Sequence, residues 1–419
     1  MKKKFNLARI KFQGIFKWLY PGIGLKRWIG LSAFGVILLI VSSGYLRTED
    51  FWVIQLLDTI VLISGIIILI LGIKRFTRSL IAAIIPSTKS NELVNILYQR
   101  KHLGQGPKVV ALGGGHGLSV VLHGLKNYTN NINAIVTVAD SGGSTGRLRE
   151  QFDIPAPGDI RNCLVALADA EPLMQELFQF RFKKDSELGG HSFGNLFITA
   201  MTEITGDFET AIKESSKVLA IRGRVIPSTV DKVNLVAEYK DGSIMEGEAK
   251  IPEKNLPIKK VYLTPNYPTP TEEAIKAIQE AEIIVLGPGS LYTSIIPNLL
   301  IKEITDAIVA SKAIKIYICN VMTQRGETDH YSASGHIKAL IEHSHPRILD
   351  YCIVNTGKIP PLVLERYEKE SAYSVVNDRK NIENMGYRVI EEDVIIIDEV
   401  VRHDPLKLAK IILGFIEEI

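Results

Sequence analysis

Several loops rich in glycine, hydroxyl and charged side chains hold the residues equipped for chemistry. Gly113-Gly114-Gly115-His116-Gly117-Leu118-Ser119 follows the apolar run Val109 to Leu112 and opens a helical stretch. Glycines permit a tight turn and let an anion approach the main chain. The helix N-terminus beyond them offers free N–H groups and a positive dipole. The spacing departs from G-x-G-x-x-G, because the third glycine comes early. Asp140-Ser141-Gly142-Gly143-Ser144-Thr145-Gly146-Arg147-Leu148-Arg149 follows the next apolar run, Ala134 to Val138. Asp140 stands about where a ribose-binding acid would be in a dinucleotide-binding fold. The glycines, the hydroxyls and the arginines Arg147 and Arg149 suit an acidic or phosphorylated ligand. Surface ion pairs are the competing role for the two arginines.

Two further loops open helices. In Gly158-Asp159-Ile160-Arg161-Asn162, Asp159 reads equally as a helix cap and as a ligand contact. In Gly189-Gly190-His191-Ser192-Phe193-Gly194-Asn195, His191 reads equally as a catalytic group and as a brace for the loop. Gly287-Pro288-Gly289-Ser290-Leu291-Tyr292-Thr293-Ser294 follows the strand-like run Ile283 to Leu286. Its hydroxyls and free backbone suit phosphate, and the Tyr292 ring suits stacking on a base or sugar. Asn320 to Thr328 leaves the run that starts at Ile314. The expected contact set is Gly113, Gly114, Gly115, His116, Gly117, Asp140, Gly142, Gly143, Ser144, Arg147, Asp159, Asn162, Asn195, Gly287, Gly289, Ser290, Tyr292, Asn320 and Thr323. Asp140 is the first candidate for a catalytic role, ahead of His191. The cysteines are Cys163, Cys319 and Cys352, without C-x-x-C or Cys/His spacing, so no zinc site or disulfide framework is expected.

These loops need a scaffold that brings them together. From Lys108 onward, short apolar runs alternate with helical stretches at Leu118 to Tyr128, Ile160 to Ala168, Phe193 to Ile204, Phe208 to Leu219, Glu272 to Glu280 and Gly335 to His343. Further strands are expected at Ile314 to Cys319, Tyr351 to Asn355 and Val394 to Ile397, and Pro405 to Glu418 closes as a helix. Such alternation predicts an α/β fold: a Rossmann-like, mostly parallel sheet with helices on both faces. Val233 to Tyr239 and Ser243 to Ala249 flank Lys240-Asp241-Gly242 and predict an antiparallel hairpin elaborating that sheet. In an open parallel sheet, ligands bind outside the carboxyl ends of the strands, where at least four of these loops fall.

The chain has 419 residues, of which 46% are hydrophobic and 23% charged, a globular balance that argues against bulk disorder. Two long apolar runs, Trp28 to Leu46 and Trp52 to Ile73, stand near the start. At ~1.5 Å per residue each is long enough for a hydrocarbon core of ~30 Å, and the five-residue link Arg47 to Phe51 predicts a transmembrane helical hairpin. Lysines and arginines precede the first run and follow the second, while the link is slightly acidic. Both termini and the main domain are therefore expected on the cytoplasmic side of the membrane. A cleaved signal peptide is the rival and fits less well, since a second span follows at once. Asp58, inside the second run, is expected to snorkel toward the interface. The expected organisation is residues 1–78 as basic segment and hairpin, 79–107 as linker, and 108–419 as nucleotide-binding domain. The bilayer would be met through residues 28–73. The net charge of +3 gives no footprint for nucleic acid, and the basic run is better read as an orientation signal.

Gly113 to Gly117, Ala139 to Arg149, Gly158 to Asn162, His191 to Asn195, Gly287 to Ser294 and Asn320 to Thr328 together resemble the gluconeogenesis factor family, the YvcK-like branch of the CofD-like proteins. The resemblance covers Val109 to the C-terminus. It implies a Rossmann-like core and a site for a uridine-diphosphate (UDP) sugar such as UDP-N-acetylglucosamine. It also implies a role in carbon metabolism, cell shape and cell-wall synthesis in bacteria, through a protein partner the sequence does not identify. The related 2-phospho-L-lactate transferase branch moves phospho-lactate from a guanosine-diphosphate donor and uses magnesium. This chain departs from the pattern at Asp140-Ser141, where two adjacent acids are usual, which weakens a magnesium site. Arg325 stands where proline is common. A binding regulator is therefore ranked first, a transferase using a nucleoside-diphosphate donor and magnesium second, and a nicotinamide-dependent oxidoreductase last. Homo-oligomerisation stays open.

Overall fold

Val109, Val110, Ala111 and Leu112 are fully buried, although successive side chains of a strand point to opposite faces. That strand must therefore be covered on both sides. The computed structural model describes residues 25–45, 52–84, 103–170, 172–183, 185–398 and 400–417. The chain divides into two compact units, Met1–Gln99 and Arg100–Ile419.

The described strands are β1 (Val109–Gly113), β2 (Ile132–Val136), β3 (Arg224–Pro227), β4 (Asn234–Tyr239), β5 (Ile244–Glu246), β6 (Ile258–Thr264), β7 (Ile283–Leu286), β8 (Ile314–Ile318), β9 (Tyr351–Asn355), β10 (Arg388–Glu392), β11 (Ile395–Ile397) and β12 (Val401–His403). Seven of them form one sheet in the order β10-β9-β8-β7-β1-β2-β3, and every pairing in it is parallel. Numbered by chain order within that sheet, the arrangement is 7-6-5-4-1-2-3, the Rossmann-type order extended by one strand. The switch in direction lies between β1 and β7. Parallel strands need long crossovers, and helices such as Gly115–Leu125, Pro157–Leu167 and Lys302–Ala310 supply them. This is the expected α/β, Rossmann-like architecture.

Several elements differ from the expectation. The hairpin does not extend the main sheet. β4 pairs antiparallel with both β5 and β6, giving a separate three-stranded sheet β5-β4-β6. β6 was hidden because two adjacent exposed lysines, Lys259 and Lys260, separate buried Ile258 from Val261 and Leu263 and break the alternation. β11 pairs with β12 in a small antiparallel ribbon, and β10 takes the edge of the main sheet instead. β2 ends at Val136, and the stretch Gly143–Phe152, rich in glycine and hydroxyls, is a helix. Leu148 anchors that helix in the core. Arg149 is buried too, and donates to the Val233 carbonyl and, at 2.6 Å, to Asn234 Oδ1. It thereby ties the helix to the start of β4. The three cysteines are buried and free.

In the N-terminal unit, helices Leu25–Tyr45 and Trp52–Ile84 pack antiparallel. A Cβ on Gly35 would meet the Leu69 backbone, and one on Gly72 would meet Ser32. Small residues thus let the two backbones approach. Ser42 Oγ donates to the Asp58 carbonyl at 3.0 Å. Asp58 Oδ2 is shielded without a partner, which differs from the snorkelling expected of it. Trp52–Ser79 is long and apolar enough to cross a membrane, with a mean hydropathy of 2.7. The apolar stretch Arg27–Ser43 is shorter than a span usually requires. Leu80 to Ile84, expected in the linker, continues the second helix. Asn91 to Arg100, whose sequence could form an amphipathic helix within the linker, lies outside the described residues.

Arg149→Met removes a buried donor from two acceptors. A loss of about 1–3 kcal/mol is expected for such a change. The measurement is the urea midpoint of the full-length protein in detergent, which should fall, whereas Arg147→Met on the exposed side of the same helix should leave it in place.

Candidate functional site

β8, β7, β1 and β2 are neighbours in a parallel sheet, so the loops leaving them emerge side by side at one rim. Hydrogen bonds lock these loops to one another. The Gly113 carbonyl accepts from Thr137 N–H at 3.0 Å and from Asn298 Nδ2 at 3.1 Å. Asn298 Nδ2 also reaches the Ser294 carbonyl, and Gly289 N–H points at Asn320 Oδ1 at 3.4 Å. Across the switch, Gly117 lies against the Pro288 carbonyl and the Gly289 Cα so closely that no Cβ fits.

Two adjoining cavities open here, of about 970 Å3 and about 450 Å3. His116, Gly117, Arg161, Asn162, Arg181 and Gly289 line both. The larger also holds His123, Arg402, His403 and Tyr367, with Val120, Val165 and Met322 as apolar wall. The smaller holds Asp140, Asp159 and Glu248, with Ser144, Thr145, Ser290 and Ser294. The cleft is therefore basic on one side and acidic on the other.

Of the residues expected from sequence, Gly114, Gly115, His116, Gly117, Asp140, Gly142, Gly143, Ser144, Asp159, Asn162, Gly289, Ser290, Asn320 and Thr323 line these cavities. Gly113, Arg147, Asn195, Gly287 and Tyr292 do not. Gly113 and Gly287 sit at strand ends beneath the cleft, where Gly287 N–H donates to the Leu112 carbonyl. Arg147 is exposed and donates to the Gly189 carbonyl at 2.8 Å. Among the described residues neither Arg147 nor Arg149 forms an ion pair; both hold backbone carbonyls. Tyr292 is 2% exposed, because the π-helical turn Leu291–Ile295 carries it inward, and its hydroxyl meets that of Tyr331 at 2.9 Å. No face is left to stack on a base.

Asn195 is buried, and its Nδ2 donates to Ser144 Oγ at 3.2 Å. His191 Nδ1 lies 3.1 Å from the same oxygen, and Ser192 N–H points at it from 3.4 Å. Ser144 is the hub of this network, and both Asn195 and His191 act as braces behind the wall.

Asp159 is not the helix cap. The helix Pro157–Leu167 starts two residues earlier at a proline, with Ala156 in the cap position. Asp159 instead reaches the first glycine turn, where Gly115 N–H donates to its carboxylate. Burial raises Asp159 to about 7, with a further push from Asp140. Burial also raises Glu248 to about 8, with Asp140 and Asp159 adding to it, and Ser141 N–H donates to its carboxylate. Arg161 is 5% exposed and its Nε has no partner. Burial and the nearby Arg181 lower it to about 10. Burial lowers His116, as do Arg161, Arg402 and Arg181 in that order, so these cations share one space. Burial lowers His403 to about 4.

Comparison with known proteins bears on this geometry. The family model described as 2-phospho-L-lactate transferase CofD matches residues 109–395, which holds the whole seven-stranded sheet. The chain belongs to the CofD family. Within that family it resembles the gluconeogenesis factors, so it is a CofD-like protein of a group related to carbon metabolism. The gluconeogenesis factor of Bacillus subtilis (strain 168) is 50% identical over 75% of this chain and 100% of its own length. A relative from Nostoc sp. (strain PCC 7120) is 45% identical over 95% of this chain and 92% of its own. A crystal structure from Bacillus halodurans, described as a member of the upf0052 family, is 48% identical with a TM-score of 0.72. It covers 74% of this chain and 99% of its own.

Sequence reading of this CofD-family site overlooked Arg161, Arg181, Glu248, Tyr367, Arg402 and His403. Arg161 lay inside a noted motif, beside Asp159 and Asn162. Glu248 gave no signal, because it arrives from the tip of the three-stranded sheet. Arg402 and His403 arrive on β12, which sequence reading did not see. Arg325 reaches out to Asn255 Oδ1 at 3.2 Å. Among the described residues, no three His, Cys, Asp or Glu side chains converge as a metal site.

The raised carboxyls set the direction of a stability effect. Unfolded, Asp and Glu release their protons near pH 4. The folded protein keeps those protons until about pH 7 and 8, so folding loses ground as pH climbs between these values and levels off above about 8. The melting temperature of the wild type is expected to fall across pH 5 to 8 more steeply than that of Asp159→Asn. Parallel profiles would contradict a raised Asp159.

Proposed function

We propose that this protein is a UDP-sugar-binding regulator, of the UDP-N-acetylglucosamine type, acting in carbon metabolism, cell shape and cell-wall synthesis. Arg161 is the observation that carries the reading. A guanidinium buried beside Arg181 and His116, with no carboxylate bonded to it and Nε unpartnered, is costly unless an anion completes it. It stands where both cavities meet, beside the Gly289 turn and at the switch point that favours ligands in such sheets. A diphosphate fits that position. The apolar wall of Val120, Val165 and Met322 suits the nucleoside. The uridine base and the sugar are what the resemblance of the loop motifs implies, and they are proposed on that ground.

The second reading is a transferase like the enzyme for which the family model is named. The three carboxyl groups facing one cavity favour it, since phosphoryl transfer can use a carboxylate to orient an acceptor hydroxyl and take its proton. Magnesium does not fit as a resident ion among the described residues; it would have to arrive with the nucleotide's own phosphates. The binding reading is preferred because the hydroxyl–imidazole pair near the cleft, Ser144 with His191, is buried and already braced. We further place the chain in the cytoplasmic membrane, with both apolar helices crossing and the main domain on the cytoplasmic side. The basic residues flanking those runs support this orientation.

Calorimetry with UDP-N-acetylglucosamine, guanosine nucleotides and nicotinamide dinucleotides checks the reading on the full-length protein. Arg161→Met and Gly289→Val are each expected to weaken the sugar nucleotide at least tenfold while the protein stays folded. Arg161→Met should also flatten the salt dependence of binding. Unchanged affinity in both variants would place the ligand elsewhere. Phospho-lactate transfer with a nucleoside-diphosphate donor and magnesium would favour the second reading.

A further inference from the structure

The glycine turn most suggestive of phosphate in the sequence is already filled. Gly115 N–H donates to the Asp159 carboxylate, and a Cβ on Gly114 would collide with that same group. A phosphate entering this turn would meet a carboxylate at its centre, with Asp140 and Glu248 beside it. The Asp159 side chain fills the space against Gly114 and Gly115 whether protonated or not, and that occupation disfavours the placement. The diphosphate therefore belongs at Arg161, and the smaller cavity is left for a different part of the ligand.

Glu248 gives that cavity its character. It sits in the 3-10 turn Glu248–Lys250, entered through Gly247 at φ +104, at the end of the β4–β5 hairpin. The turn is docked onto the strand-end loop by two hydrogen bonds. Ser141 N–H donates to the Glu248 carboxylate, and Ala249 N–H donates to Ser141 Oγ at 3.2 Å. Ser290 and Ser294 stand on the opposite loop of the same cavity. Arg161, 5% exposed with its Nε unpartnered, borders both cavities and marks where the charged part of a ligand must end.

We infer that the Gly247–Glu248 turn is the specificity element of this protein: it reads the hydroxyls of a neutral sugar lodged in the smaller cavity, while the diphosphate lies at Arg161 and the nucleoside in the larger cavity. This rests on the sugar-nucleotide reading above. Carboxyl groups suit the task. Ionised, they accept hydrogen bonds from sugar hydroxyls; protonated, they donate as well. The three-stranded sheet thus selects among diphosphates without contacting their phosphates.

The test is calorimetry in the presence of a chelator, with UDP and with UDP-N-acetylglucosamine, on the full-length wild type, Glu248→Ala and Glu248→Gln. The wild type is expected to prefer the sugar nucleotide. Glu248→Ala should cost the sugar nucleotide about tenfold or more, the loss of a hydrogen bond to a charged group. It should cost UDP no more than twofold. Glu248→Gln, which keeps shape and polarity, should retain part of the preference. Equal losses for both ligands, a preserved preference in Glu248→Ala, or a loss that appears only when magnesium is added would each overturn the assignment. A wild type that binds neither ligand would defeat the sugar-nucleotide reading itself, a result distinct from binding with an unaltered preference.

Discussion

Between β1 and β7 the chain reverses the direction in which it builds its sheet. Strands to one side run β1, β2, β3; strands to the other run β7, β8, β9, β10. The connections leaving β1 and β7 diverge, and a crevice opens where they part. Everything proposed here depends on how closely the two loops stay at that point. Gly117 touches the Pro288–Gly289 backbone with no room for a side chain, and Asn298 clamps the end of β1 to the β7 loop. Two backbones held this near, with the helix Gly115–Leu125 starting beside them, make the rim rigid. A rigid rim can present N–H groups to an anion without an ordering cost.

Charge then divides the crevice. Asp159 occupies the first glycine turn, and Glu248 and Asp140 line the same cavity; burial raises the cost of ionising Asp159 and Glu248, and Asp140 adds to both. On the other side, burial depresses the basicity of His116, and Arg161, Arg402 and Arg181 crowd it and depress it further. Among the described residues, no ion pair joins Arg161, Arg181 or Arg402 to Asp140, Asp159 or Glu248. Such opposed fields are expensive in an empty protein and favour a ligand that is anionic at one place and hydroxyl-rich at another. They also resist a uniformly charged ligand.

The fold was legible where apolar runs were short, unbroken and bounded by glycine, as at Val109 to Leu112 and Ile283 to Leu286. Both strands are buried on both faces, so no polar residue interrupts them. It was illegible where only one face is buried. In β6 lysines fill the exposed positions, and β10 at the sheet edge carries Arg388, Glu391 and Glu392. In the site, loops belonging to the main sheet announced themselves, since glycine and hydroxyl clusters after a strand have few other uses. Asn195 looked like a contact and proved a brace, because sequence cannot tell which side of Ser144 it approaches. Tyr292 turned inward on a π-helical turn that no spacing rule foretells. Glu248, Arg402 and His403 come from elements distant in the chain, so only the fold reveals them. Residue 141 shows the same limit. Its missing acid suggested a weaker site, yet the backbone of Ser141 is what holds Glu248 in place.

The most direct measurement is a crystal structure of the full-length protein with UDP-N-acetylglucosamine bound. The diphosphate should lie in the crevice between the ends of β1 and β7, within hydrogen-bonding reach of Arg161 and of the main chain at Gly289–Ser290. Phosphates found away from that crevice, with Arg161 Nε still unpartnered, would contradict the proposal that these turns form a single receptor.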